Sequence, residues 1–332
     1  MFSRRSFAGG LGALGIGACS SESGLDSRVI FSSDSHASDY PTVMATREMG
    51  RLLSERTEGR LGIKVFQGGQ LGSERDTMEI MTMGGIDMGR INIAPFNAIA
   101  PLSIVPVLPF LFKDVAHSRR VFDGAPGRKV LDSFEQYGIK GLVYYDCGSR
   151  NFYGSRGPIK TPDDLAGMKL RVQNSDVSVA MIDALGADAT PMYIGEVYQS
   201  LVQGVIDGGE NNWPTYFTER HHEVAPYFTR SQHVMTPDMM VMSLHRWNSL
   251  SEDDQVILME CAEASVLYMR ELWDAKVLAS QEAALAAGVQ VNDVDDITQF
   301  SDLMRPIWDR FATSNDQKQL IEEIEAMRDV ET

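Results

Sequence analysis

Apolar positions change their spacing repeatedly along the chain, and each change marks a predicted element. Residues 28–32 form a short apolar strand, followed by the turn Ser33-Asp34-Ser35-His36. Tyr40-Pro41 then opens a helix to about residue 57, with Met44, Met49, Leu52 and Leu53 on its apolar side. A second strand spans 61–66, the loop GGQLGSE leads into a helix over 74–83, and IDMGRINI gives a third strand through Ile93. Three strand–helix passages in succession predict a parallel α/β sheet. Asn92 falls at the carboxyl end of the third strand, where open α/β sheets place ligands. The proline-punctuated run PLSIVPVLPFLF reads as a buried connection, 116–138 as one helix, and GLVYYD as a strand. The loop Cys147-Gly-Ser-Arg150 marks a change of domain, because the strand–helix pattern starts afresh there.

The new pattern is the most informative stretch. GMKLRVQN ends a strand on Arg171, with Asn174 three residues later. A helix over 175–185, the turn ATPMYIGE and a second helix from near Glu196 lead to VIDGGENNW, which places Asn211, Asn212 and Trp213 after a Gly-rich turn. Such a unit can aim one guanidinium and two or three amides into a cleft. A planar fork of donors among neutral amides suits a carboxylate bearing hydroxyls. Further on, SEDD caps a helix whose next Gly or Pro is Gly288. Residues 251–287 as one helix would be roughly 55 Å long, enough to cross both domains. Two helices with an unmarked break are the alternative. Helices over 297–312 and 317–327 complete the chain.

Composition narrows the function without naming it. At 332 residues, 43% hydrophobic and 23% charged, the chain is an ordinary globular one with room for two cores. A net charge of −16 disfavours nucleic acid and anionic membrane as partners. The first 25 residues read as a targeting segment: Arg4-Arg5, a short apolar run, then Ile16-Gly17-Ala18-Cys19. This is a twin-arginine type of export signal ending in a lipobox-like site, with Cys19 as the residue to carry lipid, or an ordinary signal with a soluble product. Cys147 and Cys261 are the other cysteines, and their pairing is open. The six histidines are scattered, and the adjacent His221 and His222 read as solvated. No metal, dinucleotide, phosphate-loop or hydrolase motif occurs, so no cofactor is expected.

QLGSE, the Gly148–Arg150 segment, DDLAGMKLRV, ATPMYIGEVYQSL, VIDGGENN and SEDDQ with its long helix follow one another in order. In this the chain resembles the substrate-binding proteins of tripartite ATP-independent periplasmic (TRAP) transporters, over nearly the whole length after residue 25. The resemblance implies a two-domain clamshell with parallel-rich sheets and a domain-spanning helix. Its halves would be 26–147 with about 237–276, and 148–236 with about 277–332. It implies a periplasmic binder, not an enzyme, that delivers an organic acid to the small and large membrane subunits of a permease. Arg171 matches the arginine that grips the ligand carboxylate. Arg150 matches a second arginine near the ligand, or is a hinge-loop surface charge. Asn211 matches an amide beside the carboxylate and Asn174 a polar neighbour. Glu74 and Asn92 match positions that meet the distal part of the ligand, or are structural, and His36 is a weaker candidate of the same kind. Asn212 adds donors, while Trp213 and Tyr193 offer an apolar face to a sugar ring, or simple packing. ENNWPTY is similar to the subset taking hexuronates such as glucuronate and galacturonate. A C4-dicarboxylate, a sensor-kinase partner, and more remotely an exported sugar-acid enzyme are the rival readings.

Overall fold

The computed structural model describes residues 29–329; the first 25 residues, read above as a targeting segment, and Cys19 within them lie outside that range. The chain begins with β1 (Val29–Ser33), α1 (Pro41–Arg56), β2 (Gly62–Phe66), α2 (Glu74–Thr82) and β3 (Met88–Asn92). Pro41 lies in the first turn of α1, where a missing N–H costs nothing, and Ser73 closes a capping box on α2. Proline-rich 3-10 turns over Ala94–Ala98 and Pro101–Val107 then cover the end of the sheet.

One long helix was expected next. The chain instead forms α3 (Val115–Asp123) and α4 (Ala125–Asp132), broken at an extended Gly124. Pro126 causes the break, because its ring lacks the N–H and would clash with the carbonyl four residues back. β4 (Ile139–Tyr145) follows, and the expected loop through Arg150 is in fact the start of β5 (Arg150–Gly154), every residue of which is buried. Its polar Arg150 and Asn151 hid the strand.

The second half runs β6 (Lys169–Val172), α5 (Asp176–Ala184), β7 (Asp188–Pro191), α6 (Ile194–Val202), β8 (Gly208–Asn211), α7 (Trp213–Thr218) and β9 (Tyr227–Val234). β10 (Asp238–Ser243) returns to the first sheet, and α8 (Leu244–Asn248) leads to α9 (Glu252–Ala286). β11 (Gln290–Asp293), α10 (Ile297–Phe311) and α11 (Asn315–Ala326) end the chain.

The strands make two mixed sheets, ordered β2-β1-β3-β10-β4 and β11-β9-β5-β8-β6-β7. β10 is antiparallel to both neighbours, as is β5, so the sheets are less parallel than the repeated strand–helix pattern predicts. The chain passes between sheets at residues 146–149 and 235–237, and α9 ties the halves together. Cys261, Val266, Met269 and Trp273 of α9 join the core behind the first sheet, and Ala284 joins that behind the second. At 35 residues it is roughly 52 Å long by its rise per residue.

The end of the chain departs from the expected partition. Gln317 of α11 donates to the Pro101 carbonyl at 2.8 Å, and His117 of α3 lies 2.9 Å from the Ile324 carbonyl. The last helix therefore packs on the first half, where Leu320 and Ile324 complete a core.

Candidate ligand-binding site

Between the sheets lies a cleft with about 560 Å³ of unfilled space, the solvent at its mouth included. One wall is built by three adjacent strands, β5, β8 and β6. Gly208 and Gly209 let them close up: a Cβ on Gly208 would lie 2.1 Å from the Tyr153 carbonyl oxygen, and one on Gly209 2.8 Å from the Tyr153 hydroxyl. This explains the paired glycines before Glu210.

Arg171 on β6 is 4% exposed, and its Nε and Nη2 both donate to the Met192 carbonyl, at 3.0 and 2.8 Å. That grip fixes the guanidinium edge-on and leaves Nη1 and the outer N–H of Nη2 for a ligand. Four arginines line the cleft. Arg75 pairs with Glu79, Arg90 with Asp34, Glu74 and Asp238, and Arg150 with Glu210. Among the described residues, no carboxylate lies within ion-pair distance of Arg171. Burial pushes its pKa below the ordinary guanidinium value, and nearby Arg150 adds to the shift. A desolvated, unneutralised cation is a site for an anion.

Arg150 is not a surface charge. It is 3% exposed, and Glu210 takes its Nε and Nη2 donors while the Glu210 carbonyl accepts a further bond at 2.7 Å. Burial opposes ionisation of Glu210, but the Arg150 charge prevails and the carboxyl pKa drops to about 2. Arg150 Nη1 donates to Asn211 Oδ1 at 3.3 Å, and the same oxygen accepts from Asn212 N at 2.9 Å. With its oxygen so occupied, Asn211 presents its amide hydrogens to the cleft.

The opposite wall centres on Arg90 of β3, also buried. It bonds Asp34, Glu74 and Ser35, approaches His36 Nδ1 at 2.9 Å and lies 3.4 Å from Asp238. Burial would raise the Asp34 pKa, yet the Arg90 charge and the His36 bonds hold it far below the usual carboxylate range. Asn92 is occupied by its own fold: Nδ2 donates to Asp238 at 2.9 Å, and Oδ1 accepts from Ala94 N at 3.1 Å. His36 stacks on Tyr40 with ring centroids 3.8 Å apart and faces the cleft beside Glu74.

The fold thus brings Arg171, Arg150, Asn211, Asn174, Glu74, Asn92 and His36 together, with Tyr193 beside them. Two predicted residues go elsewhere. Asn212 caps α7, accepting from Thr215 N at 2.8 Å, and ties down the Cys147 carbonyl at 3.0 Å. Trp213 stacks on Phe228 at 3.7 Å in the core behind the sheet. Neither lines this cleft, because the chain turns from strand to helix at Asn212. His221 is buried on Tyr153 where solvation was expected, and both Cys147 and Cys261 are buried free thiols. Arg90, Asp34, Asp238 and Glu210 were missed. For Arg90 and Glu210 a signal was available in MGRIN and GGENN: a charge inside an otherwise apolar or Gly-rich strand needs a buried counter-charge.

Residues 32–315 match DctP, bacterial extracellular solute-binding protein, family 7. The chain belongs to this family. A solute-binding protein of Chromohalobacter salexigens is 39% identical over 276 residues, 83% of this chain and 82% of its own. Among solved structures, a TRAP periplasmic solute binding protein from Bradyrhizobium sp. BTAi1 in complex with α/β-D-galacturonate matches with a TM-score of 0.89 at 44% identity, over 90% of this chain and all of that one. Another from Roseobacter denitrificans, with bound β-D-glucuronate, gives 0.88 at 38% identity, over 90% of this chain and 99% of that one. The DctP fold accounts for both sheets and the long helix. Among the described residues, no helix is long and apolar enough to cross a membrane.

Proposed function

We propose that this protein captures a sugar acid, a hexuronate such as galacturonate or glucuronate, and delivers it to the two membrane subunits of a TRAP permease without altering it. The observation that carries the reading is Arg171, a buried guanidinium fixed by a backbone carbonyl and, among the described residues, without a carboxylate of its own. The ligand carboxylate accepts from Nη1 and Nη2 of Arg171 and from the amide of Asn211. Asn174 and the last free hydrogen of Arg150 serve the ring oxygens next to it. Glu74 and His36 take hydroxyls at the far end, and the Tyr193 ring flanks the sugar. The bound uronates of similar structures support the ligand class. The Arg4-Arg5 segment exports the chain, and lipid on Cys19 tethers it beside the permease.

Capture works by differential affinity. A ligand touching both walls favours the closed form over the open one by the contacts that only closure makes. Isothermal calorimetry with D-galacturonate and D-glucuronate tests the reading. Wild type should bind at least one of them, Arg171→Ala neither, and Arg171→Lys only weakly, because an ammonium cannot keep both the Met192 bond and a two-point grip. Near-normal binding by the alanine variant would overturn the assignment of Arg171.

A further inference from the structure

The two walls of the cleft carry opposite charge. On the β6 side, Arg150 is neutralised by Glu210 and Arg171 is left as one positive charge. On the β3 side, Arg90 faces Asp34, Glu74 and Asp238. With histidine counted as neutral, that wall formally carries two negative charges in excess. We propose that this acidic wall restricts the site to sugar acids with a single carboxylate, and that Glu74 is the residue that rejects a second one. The inference rests on the reading that Arg171 takes the carboxylate of the ligand.

The three carboxylates differ in what they have left to offer. Asp34 is 1% exposed, and both its oxygens are occupied, Oδ1 by His36 and Arg90 and Oδ2 by Thr42 at 2.8 Å. Asp238 is 2% exposed, with Oδ1 bonded to Asn92 and near Arg90. Glu74 is the open one: its side chain is 17% exposed, Oε1 takes Arg90 and Ser35, and Oε2 has no hydrogen-bond partner among the described residues. It is also near enough to Arg171 for its charge to favour the guanidinium cation. The cleft therefore offers a donor-rich end and, within the length of a small ligand, an acceptor-rich end.

A hexuronate bound by its C6 carboxylate turns ring hydroxyls, which can donate hydrogen bonds, towards the acceptor-rich end. Oxidising C1 to a carboxylate gives an open-chain diacid whose second charge lies at the far end of a six-carbon chain, and with C6 on Arg171 that charge comes to the Glu74 side, where it can only accept. Among the described residues, no unpaired cation answers it there. Arg90 is saturated by its three carboxylates, and Arg75 at the mouth pairs outward with Glu79 at 3.0 Å. Like charges brought together out of water repel strongly.

Calorimetry on the full protein with D-galacturonate and galactarate, its C1-oxidised counterpart, tests this. Wild type should bind galactarate at least about 100-fold more weakly, roughly 2.7 kcal/mol. Glu74→Gln removes the charge and keeps the shape; it should weaken galacturonate somewhat and narrow the gap to about tenfold or less. Glu74→Ala should narrow it in the same direction, and unliganded melting curves check that both variants fold. Wild-type affinities within about threefold of each other would overturn the proposal. So would an unchanged gap in both variants, which would assign the exclusion to the open-chain shape of the diacid. If neither uronate binds wild type, it is the sugar-acid reading itself that fails.

Discussion

On β8, Glu210 lies 2% exposed between Arg150 and His233, whose Nε2 is 3.7 Å from its carboxylate. Its work is to hold the guanidinium of Arg150, which in turn orients the Asn211 amide. Glu210→Gln would leave a buried cation without its counter-charge, a change that costs about 3–5 kcal/mol. Urea unfolding should report that loss, and a difference below about 1 kcal/mol would show that the pair contributes little. Individual residues were legible in the sequence where the local motif dictated direction. Arg171 could be placed because it ends an apolar strand, and Asn211 because it follows two glycines. Asn212 and Trp213 were misplaced by being grouped with Asn211 after the Gly-rich turn. Asn-Trp-Pro is a helix start, with Asn212 as cap and Pro214 in the first turn, and that signal was on the page. The partners of Arg90 were illegible, because nothing local says which of several acids will come to meet it from the end of β1, from α2 and from β10.

Elements were read more reliably than their neighbours. The unbroken run after Ser251 gave one helix because no Gly or Pro interrupts it, whereas Gly124-Ala125-Pro126 divided a run that looked continuous. Strand partners were beyond reach: β10 inserts between β3 and β4 from nearly a hundred residues away, and only packing decides that. The loop between β2 and α2 shows how tightly the two halves meet. Gly69 has φ +68°, and a Cβ there would stand 2.4 Å from the hydroxyl of Tyr193, which belongs to the opposite half. Gly69→Ala should therefore hold the jaws apart and speed ligand dissociation in stopped-flow measurements, besides about 1 kcal/mol of backbone strain. Adding Tyr193→Phe removes the obstructing oxygen and should restore part of the lost residence time. No recovery in the double variant would mean that strain in the loop, and not the contact, governs release.

At the scale of the whole molecule, the buried titratable groups set how the fold responds to acid. His221 is fully buried on Tyr153; burial, and then the charge of Arg171, bring its pKa down to about 3. Burial also lowers His233, although Glu210 pulls the other way. Below the ordinary histidine value of 6.5 the unfolded chain takes up these protons and the folded one resists them. Stability must then fall as pH drops, by up to about 1.4 kcal/mol per pH unit for each such group. Glu210 adds a second limb. Its folded pKa is depressed, so its contribution is present above the usual value of 4.5 and disappears as pH falls through about 2. Asp34 acts in the same sense below the usual 3.8. The protein should accordingly lose melting temperature from pH 6.5 downward, well before Glu210 and Asp34 take up protons. His221→Gln keeps a polar group beside Tyr153 but cannot take up a proton, so its melting temperature should fall less steeply between pH 6.5 and 4. Equal slopes for variant and wild type over that interval would clear His221 of the acid sensitivity and leave His233, beside Glu210, and the buried His117 as the groups to replace next.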